Sequence, residues 1–182
     1  MLTAITGGIA EGKSTVLGFV SDLGYKTLSA DSVAREVFSD PDVNVLLAQL
    51  VGTNPPIAPQ TLRHALAESP EIRHSVNRIT HPRIMDAIRS SDAEFIEIPL
   101  LIESCLQGQF DCVWVVTCGL EEQRRRLEAR YGPSGEGELL LNVQLPTLAK
   151  IPFADEVFRT NCAFEAVRRN VSKALARRFE TG

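Results

Sequence analysis

A glycine-rich segment near the start of the chain carries the residue types that bind a triphosphate. Residues 7–15 read GGIAEGKST and match the pattern G-x-x-x-x-G-K-[ST]. Glycines at positions 7 and 12 can take backbone angles that a side chain disfavours, so consecutive amides can curl around a phosphate. Lys13 adds a mobile charge for the outer phosphates, and Ser14 offers a hydroxyl to Mg²⁺. The predicted ATP-binding residues are Gly8, Ala10, Glu11, Gly12, Lys13, Ser14 and Thr15.

A carboxylate follows the second predicted strand, which covers residues 25–29. Asp31 can cap the next helix, a common role for an aspartate just before an apolar-periodic run. It can also orient and deprotonate an acceptor hydroxyl, because ligands of open α/β sheets gather at the carboxyl ends of the strands. The two roles are compatible, and Asp31 is predicted to be catalytic together with Lys13.

Two further positions each have a structural and a functional interpretation. His81 precedes Pro82 within a helical pattern over residues 72–88, so it marks either a kinked helix or a substrate contact. Glu103 lies just past the strand predicted at 95–98. It is either an exposed glutamate at a helix start or a carboxylate on the side of the phosphate or Mg²⁺. The residue pattern alone leaves both choices open.

The helix predicted over residues 119–130 is rich in arginine. Glutamate and arginine four residues apart, such as Glu122 and Arg126, can pair along its face, so a solvated surface is the default interpretation. Arg126 and Arg130 share a face, and an arginine from this helix or the next loop can instead reach the phosphates. Residues 131–137 contain three glycines and a proline, which is typical of a connector that can move as a flap.

These residues lie between apolar strands and amphipathic helices that alternate along the chain. Strands are predicted at 2–6, 25–29, 95–98, 112–117 and 154–161. The connection between the second and third strands is longer than one crossover helix needs. We therefore expect a helical substrate-binding subdomain in that connection.

Composition and charge narrow the class of protein. The chain has 182 residues, is 44% hydrophobic and carries a net charge of −4, which fits one α/β domain and argues against a nucleic-acid binder. No apolar run approaches the ~20 residues of a membrane span, and the early phosphate loop argues against a signal peptide. The four cysteines form no C-x-x-C pair, which favours free thiols in a reducing cytoplasm.

Five segments of the chain, in this order, resemble the dephospho-CoA kinase family. They are the phosphate loop, residues 30–35 (ADSVAR), 80–82 (THP), 99–103 (PLLIE) and 144–146 (QLP). The loop alone occurs in many kinases, whereas its combination with the His-Pro and Pro-Leu-Leu-x-Glu segments is much narrower. The resemblance covers most of the chain.

The resemblance implies a P-loop NTPase fold of three layers, α/β in class, with a five-stranded, mainly parallel sheet, a helical acceptor-binding insertion and a short lid. One domain, 1–182, would contain a core of 1–38, 92–130 and 147–182, an acceptor subdomain of about 39–91 and a lid of about 131–146. The implied reaction transfers the γ-phosphoryl group of ATP to the 3′-hydroxyl of dephospho-CoA, the last step of coenzyme A synthesis. ATP and Mg²⁺ are the implied cofactors, and a cytoplasmic monomer that binds neither nucleic acid nor membrane is expected.

The resemblance also implies roles for individual residues. Asp31 matches the aspartate that acts as base or orients the acceptor hydroxyl. Arg126 and Arg130 match basic positions that lead into the lid, and Ser14 is the implied metal ligand. The implied substrate-binding residues are Arg35, His81, Leu100 and Glu103.

Two residues depart from the family pattern. Ser29 stands where the family usually has the first aspartate of Asp-Ala-Asp. Glu11 lies inside the phosphate loop, where a small polar residue is more usual, and its carboxylate would repel ATP unless it points to solvent. Two alternatives therefore stand beside the main hypothesis. One is a kinase of the same architecture for another small acceptor, such as a nucleoside monophosphate, and the other is a nucleotide-binding protein that has lost catalysis.

Overall fold

The computed structural model describes residues 1–132 and 135–178 of the chain. The chain divides into two compact units. Met1–Ser29 and Ala93–Gly182 form the first, which we call the sheet unit, and Ala30–Asp92 form the second, the helical unit. Pro133 and Ser134 of the predicted lid, and residues 179–182 of the predicted core, lie outside the described residues.

The sheet unit is built on five parallel strands in the order β2-β3-β1-β4-β5. They are β1 (Thr3–Gly7), β2 (Thr27–Ser29), β3 (Phe95–Glu97), β4 (Cys112–Thr117) and β5 (Glu156–Arg159). Every residue of the central strand β1 is buried, as expected for a parallel strand covered on both faces. The predicted α/β class and parallel sheet are confirmed, with β2 and β5 shorter than the sequence indicated.

Helices connect these strands and form the helical unit. The described α-helices are α1 (Lys13–Asp22), α2 (Ala30–Ser39), α3 (Pro41–Val51), α4 (Pro59–Glu68), α5 (Pro70–Ser90), α6 (Leu120–Tyr131), α7 (Glu136–Asn142), α8 (Thr147–Lys150) and α9 (Phe164–Arg178). None of the helices in the described ranges is long and apolar enough to cross a bilayer.

Aromatic side chains fill the core of the sheet unit. The ring of Trp114 on β4 lies 5.0 Å from that of Phe95 and 4.7 Å from that of Phe158, measured between centroids. Phe19 of α1 meets Phe164 of α9 edge-on at 4.6 Å. Tilted and edge-on contacts at these distances stabilise a core beyond the area that they bury. They hold α1, which follows the phosphate loop, in a fixed position.

The helical unit has a core of its own, made by α3, α4, α5 and the loop before α4. Its buried apolar residues are Val43, Leu47, Ala48, Ile57, Leu62 and Val76. Asp40 caps α3 by accepting hydrogen bonds from the amides of Asp42 and Val43. The helix α5 continues through Pro82 from Pro70 to Ser90, so His81 and Pro82 lie inside one helix.

Candidate active site

The phosphate loop is the turn between β1 and α1. Gly7 has a φ of 149°, and a Cβ atom there would lie 2.2 Å from the carbonyl oxygen of Val116 on β4. Gly12, just before α1, has a φ of 91°. Only glycine combines such angles with so close an approach of the neighbouring backbone. The two glycines of the motif are therefore needed for the shape of the loop, as the sequence indicated.

The loop offers amide donors to a ligand. Among the described residues, no acceptor engages the backbone amides of Ala10, Glu11 and Gly12, which lie just before the N-terminus of α1. Successive amides at the start of a helix are a binding site for phosphate. Lys13 is 8% exposed, and its Nζ donates to the carbonyl of Gly8 at 2.8 Å, which holds the ammonium group at the loop.

A hydroxyl and a carboxylate meet beside the loop. The Oγ of Ser14 donates to Glu97, with distances of 3.2 and 3.4 Å to the two carboxylate oxygens. Glu97 ends β3, whose register places it opposite Ile5 of β1. Hard oxygen atoms of this kind are the ligands that Mg²⁺ prefers. Glu97 was not predicted from sequence, although a charged residue at the end of an apolar strand was a signal for it.

Glu11 does not point to solvent, so the solvent-facing arrangement that would keep its carboxylate from repelling ATP is not the one adopted. Its side chain is only 1% exposed. Oε2 accepts hydrogen bonds from the amide of Gly8 at 2.6 Å and from the hydroxyl of Thr147, and Oε1 accepts one from the hydroxyl of Thr117 at 2.9 Å. Both carboxylate oxygens therefore bind donors inside the protein, including the first turn of the phosphate loop itself.

Arg126 on α6 supports the backbone of the same loop. Its Nη1 donates to the carbonyl of Ala10 at 3.3 Å, and its Nη2 donates to the carbonyl of Thr160 at 2.6 Å. Its Nε donates to Glu122 at 2.8 Å. Hydrogen bonds from Arg125 and Arg126 lower the pKa of Glu122 to about 2, so the carboxylate stays ionised at neutral pH. Protein acceptors therefore occupy the guanidinium group of Arg126 on three of its nitrogens.

The segment predicted as the lid, residues 131–146, contains no lysine or arginine. Its helix α7 is joined to α6 by an ion pair of 3.0 Å between Arg124 and Glu138. Beyond α7, the side-chain oxygen of Gln144 accepts a hydrogen bond from the amide of Ile9 at 2.9 Å. This segment therefore contacts the phosphate loop directly but brings no cation of its own.

Glu103 and Lys150 form a buried ion pair next to the end of the segment 131–146. Lys150 Nζ lies 2.7 Å from Glu103 Oε1, and the two side chains are 0% and 16% exposed. The same oxygen accepts the amide of Leu145 at 3.0 Å, and Lys150 also donates to the carbonyl of Pro99 at 3.3 Å. Glu103 thus links the turn after β3 to the start of the chain that leads into α8. In the same turn, Leu100 is exposed.

The Lys150–Glu103 pair gives a prediction about stability. Lys150→Met leaves the carboxylate of Glu103 buried without a cation, and we expect it to lower the free energy of unfolding by about 3–5 kcal/mol. Urea unfolding measures the loss. In the double variant Lys150→Met with Glu103→Gln, most of the lost stability should return. A loss below about 1 kcal/mol in the single variant, the usual value of an exposed pair, would contradict this prediction.

Asp31 and Arg35 lie one turn apart on α2 in the helical unit. Asp31 is exposed and follows Ser29, the last residue of β2, by two positions. Its carboxylate accepts no hydrogen bond from any residue in the described ranges, so it does not cap α2. Arg35 donates from Nε to the carbonyl of Asp31 at 3.2 Å and is exposed. A carboxylate with no protein donor is available to a ligand.

A cavity of about 930 Å³ opens inside the helical unit. Arg35 from α2 and Arg63 from α4 contribute its positive charges. Phe38, Ile57 and Leu62 are among the apolar residues that line it. A cavity of this size, largely apolar with a few polar groups, is typical of a small-molecule site.

His81 lies half-buried on α5, and burial lowers its pKa below the usual value. The unfolded chain therefore binds a proton more readily than the folded chain, so stability present above about pH 6.5 is lost as the pH falls below it. We expect His81→Gln to reduce this acid sensitivity of the urea midpoint. Asn77→Gln on the same helix is the control, because it changes a side chain that does not titrate. Equal pH dependence in His81→Gln and the wild type would contradict the prediction.

The cysteines are free thiols, with Cys105 and Cys162 exposed, Cys112 half-buried and Cys118 buried. Cys118 lies beside the loop, where its amide is 3.4 Å from Oε1 of Glu11. Burial raises the pKa of the Cys118 thiol to about 11, so the thiol stays protonated at neutral pH. A buried, protonated thiol is a poor nucleophile. Cys118 therefore contributes packing at this site.

Comparison with known sequences identifies relatives over nearly the whole chain. A family model described as dephospho-CoA kinase matches residues 1–165. The dephospho-CoA kinase of Moorella thermoacetica is 33% identical, over 95% of this chain and 90% of that protein. The dephospho-CoA kinase of Escherichia coli K12 is also 33% identical, over 96% of this chain and 91% of that protein.

Comparison with solved structures gives the same picture of the fold. The crystal structure of TT1252 from Thermus thermophilus has a TM-score of 0.82 at 27% identity and covers 97% of both chains. Dephospho-CoA kinase from Campylobacter jejuni has a TM-score of 0.70 at 22% identity, over 96% of this chain and 95% of that one. A shikimate kinase from Acinetobacter baumannii has a TM-score of 0.55 at 15% identity, over 98% and 93%. The predicted P-loop kinase fold is thereby confirmed.

Proposed function

The chain belongs to the dephospho-CoA kinase family, and from this premise we propose that it transfers the γ-phosphoryl group of ATP to the 3′-hydroxyl of dephospho-CoA. The observation that carries the proposal is the phosphate loop. Lys13 donates to the loop carbonyl of Gly8, and the Ser14 hydroxyl donates to Glu97 beside the loop. This is the set of groups that phosphoryl transfer requires, because the reaction depends on positioning and on neutralising charge.

The loop binds the triphosphate. The amides of Ala10, Glu11 and Gly12 face no protein acceptor within the described chain and can donate to phosphate oxygens. Lys13 is held close to the loop and adds a positive charge that attracts the outer phosphates. These donors are fixed before ATP arrives, so little reorganisation opposes the reaction.

Mg²⁺ fits the Ser14–Glu97 pair. The hydroxyl and the carboxylate are hard oxygen ligands that already lie within 3.4 Å of each other. Ser14 is the second residue of α1 and directly follows Lys13, so a metal held there is close to the phosphate site. When bound, Mg²⁺ neutralises charge on the phosphate oxygens. Glu97 fixes the orientation of the Ser14 hydroxyl.

Asp31 orients the acceptor hydroxyl and takes its proton. Its exposed carboxylate has no protein donor in the described ranges, and it follows β2 at the carboxyl end of the sheet. As the phosphoryl group forms a bond to the acceptor oxygen, the bond to the leaving ADP oxygen breaks and the hydroxyl proton passes to Asp31.

The helical unit holds the rest of the acceptor. Its cavity combines an apolar lining with the guanidinium groups of Arg35 and Arg63, which suits a ligand with an elongated arm and anionic groups. His81 and the exposed Leu100 are further acceptor residues in this proposal. Glu103 is already bound to Lys150, so we assign it the role of holding the turn that carries Leu100.

The positive charge that stabilises the transition state comes from outside the lid segment. Residues 131–146 have no lysine or arginine, and the guanidinium group of Arg126 is bound to the loop backbone. Of the basic residues predicted for the site, Lys13 and Arg130 remain, and Arg130 is exposed in the last turn of α6. We assign the two residues this role. We also propose that the protein is a cytoplasmic monomer, and its free thiols fit a reducing cytoplasm.

A panel of acceptors tests the proposal. The protein is incubated with ATP labelled at the γ-phosphate and with dephospho-CoA, a nucleoside monophosphate or shikimate, with and without Mg²⁺. We expect transfer to dephospho-CoA alone, and only with Mg²⁺. Transfer to another acceptor instead would assign the chain to a kinase of different specificity. ATP binding without transfer to any acceptor would support a nucleotide-binding protein without catalysis.

A further inference from the structure

Glu11 joins the phosphate loop to three other segments of the sheet unit. Its carboxylate accepts hydrogen bonds from Thr117 at the end of β4 and from Thr147 at the start of α8. Its backbone carbonyl accepts one from the hydroxyl of Thr160, just after β5, at 2.7 Å. With the bond from the amide of Gly8, one residue fixes the loop both internally and to its surroundings.

The loop needs such support because part of its backbone is strained. Ala10 has a φ of 61°, a left-handed conformation that residues other than glycine adopt at a cost. Strained backbone persists only where neighbouring contacts hold it in place. The Glu11 carboxylate holds the segment on one side of Ala10 through the amide of Gly8. On the other side, the Thr160 hydroxyl holds the carbonyl of Glu11 itself.

The same contacts explain how an acidic residue is tolerated in a phosphate site. Both oxygens of Glu11 are taken by protein donors, and the side chain is buried. The amide that it uses is that of Gly8, whereas the amides of Ala10, Glu11 and Gly12 have no acceptor within the described chain. The carboxylate therefore organises the loop without occupying the donors that a phosphate uses.

A second tie runs in parallel to the bond between Glu11 and Thr147. Gln144, three residues before Thr147, accepts a hydrogen bond from the amide of Ile9. Two contacts therefore join residues 9–11 of the loop to residues 144–147. Without the Thr147 hydroxyl, the hydrogen bond between the amide of Ile9 and Gln144 would be the one of these two contacts that remains.

We propose that Glu11 is a positioning residue that fastens the phosphate loop to Thr147 and keeps it in its phosphate-binding shape before ATP arrives. The inference deepens the proposed function, on which it rests for the identity of the nucleotide. A loop that is ordered in advance loses less conformational entropy on binding, so its ATP affinity is higher. Glu11 acts through the backbone of the loop and not by contact with the phosphates.

A double-mutant cycle on ATP affinity tests the proposal. The variants are Glu11→Gln, Thr147→Val and the two combined, and calorimetry measures the Kd of Mg·ATP without any acceptor. Hydrogen bonds to a charged group are strong enough that we expect each single variant to raise Kd about tenfold. The combined variant should be about as weak as either single one, because both remove the same tie.

Thr80→Val is the matched control. Thr80 is buried in the helical unit, where its hydroxyl donates to the carbonyl of Val76 at 3.0 Å. The substitution removes a buried hydroxyl that does not contact Glu11, so we expect it to lower the urea midpoint while Kd for ATP changes by less than about twofold. If Glu11→Gln does not fold, the comparison of Thr147→Val with Thr80→Val decides the question alone.

Two results would overturn the proposal. One is an unchanged ATP affinity in Thr147→Val, which would make Glu11 a residue of stability only. The other is an equal loss of affinity in Thr147→Val and Thr80→Val. Because no acceptor is present, these results are independent of whether dephospho-CoA is the substrate. Failure of transfer with the expected ATP affinities would reject the proposed function and leave the role of Glu11 intact.

Discussion

We expect the replacement of Asp31 by asparagine to lower kcat for phosphorylation of dephospho-CoA by about 10²–10⁴-fold, the range typical of a general acid–base group. Asparagine keeps the size of the side chain but can neither accept the hydroxyl proton nor supply negative charge. The carboxylate is exposed and accepts no hydrogen bond from the described residues, so its removal breaks no structural contact. ATP affinity should remain that of the wild type, since the loop donors are unchanged.

Asp42→Asn is the control for Asp31→Asn. Asp42 is also exposed and also lies in the first turn of a helix of the helical unit. Steady-state kinetics with saturating ATP should give this variant the kcat of the wild type. A wild-type kcat in Asp31→Asn would remove Asp31 from the catalytic role and leave the base to be sought elsewhere.

Lys13→Ala should weaken ATP binding and also lower kcat by about 10²–10³-fold, the loss typical of removing one charge-stabilising donor. The two effects have one cause. The ammonium group attracts the outer phosphates in the ground state and stabilises the additional charge of the transition state. Calorimetry with ATP and steady-state kinetics separate the two contributions.

Lys13→Arg and Lys173→Ala complete the test of Lys13. Lys13 is largely buried, and the planar guanidinium group does not reproduce the compact ammonium, so arginine should not restore kcat. Lys173→Ala removes a charge from the exposed side of α9 and should leave both parameters unchanged. Weaker ATP binding with an unchanged kcat in Lys13→Ala would show that Lys13 binds ground state and transition state equally.

Local signals in the sequence were enough to predict the loop and the strands that position the site. The pattern around Gly7 and Gly12 predicted the loop because the backbone angles that it needs depend on neighbouring residues alone. The apolar run at residues 112–117 predicted the strand β4, because the type of an element depends on the local pattern of apolar residues. The position of Asp31 after β2 also followed from local pattern, since the chain places it there directly.

Contacts between distant residues were beyond the reach of such signals. Glu11 accepts bonds from residues 106 and 136 positions away, and Ser14 meets a carboxylate 83 positions away. A local pattern gives the type of a residue but not its partner across the sheet. This is why the sequence did not indicate the buried partners of Glu11 and why Glu97 was not predicted as a site residue.

The contacts of Arg126 were also only partly predictable from local sequence. Its place on a helix with glutamates predicted either a solvated ion pair or a phosphate contact. The ion pair with Glu122 forms, but both of its side chains are half-buried rather than solvated. The bonds from its guanidinium group to the carbonyls of Ala10 and Thr160 depend on three segments that meet only in the fold. Its role as a support of the loop follows from these bonds.

The most direct test of the proposed phosphorylation of dephospho-CoA is the position of the new phosphate in the product. The protein is incubated with Mg·ATP and dephospho-CoA, and the product is purified and examined by ³¹P and ¹H NMR. We expect a new phosphomonoester whose phosphorus couples to the 3′ proton of the ribose, formed by the wild type and nearly absent with Asp31→Asn. Consumption of ATP without a new phosphomonoester, or a phosphate at any other position, would contradict this expectation.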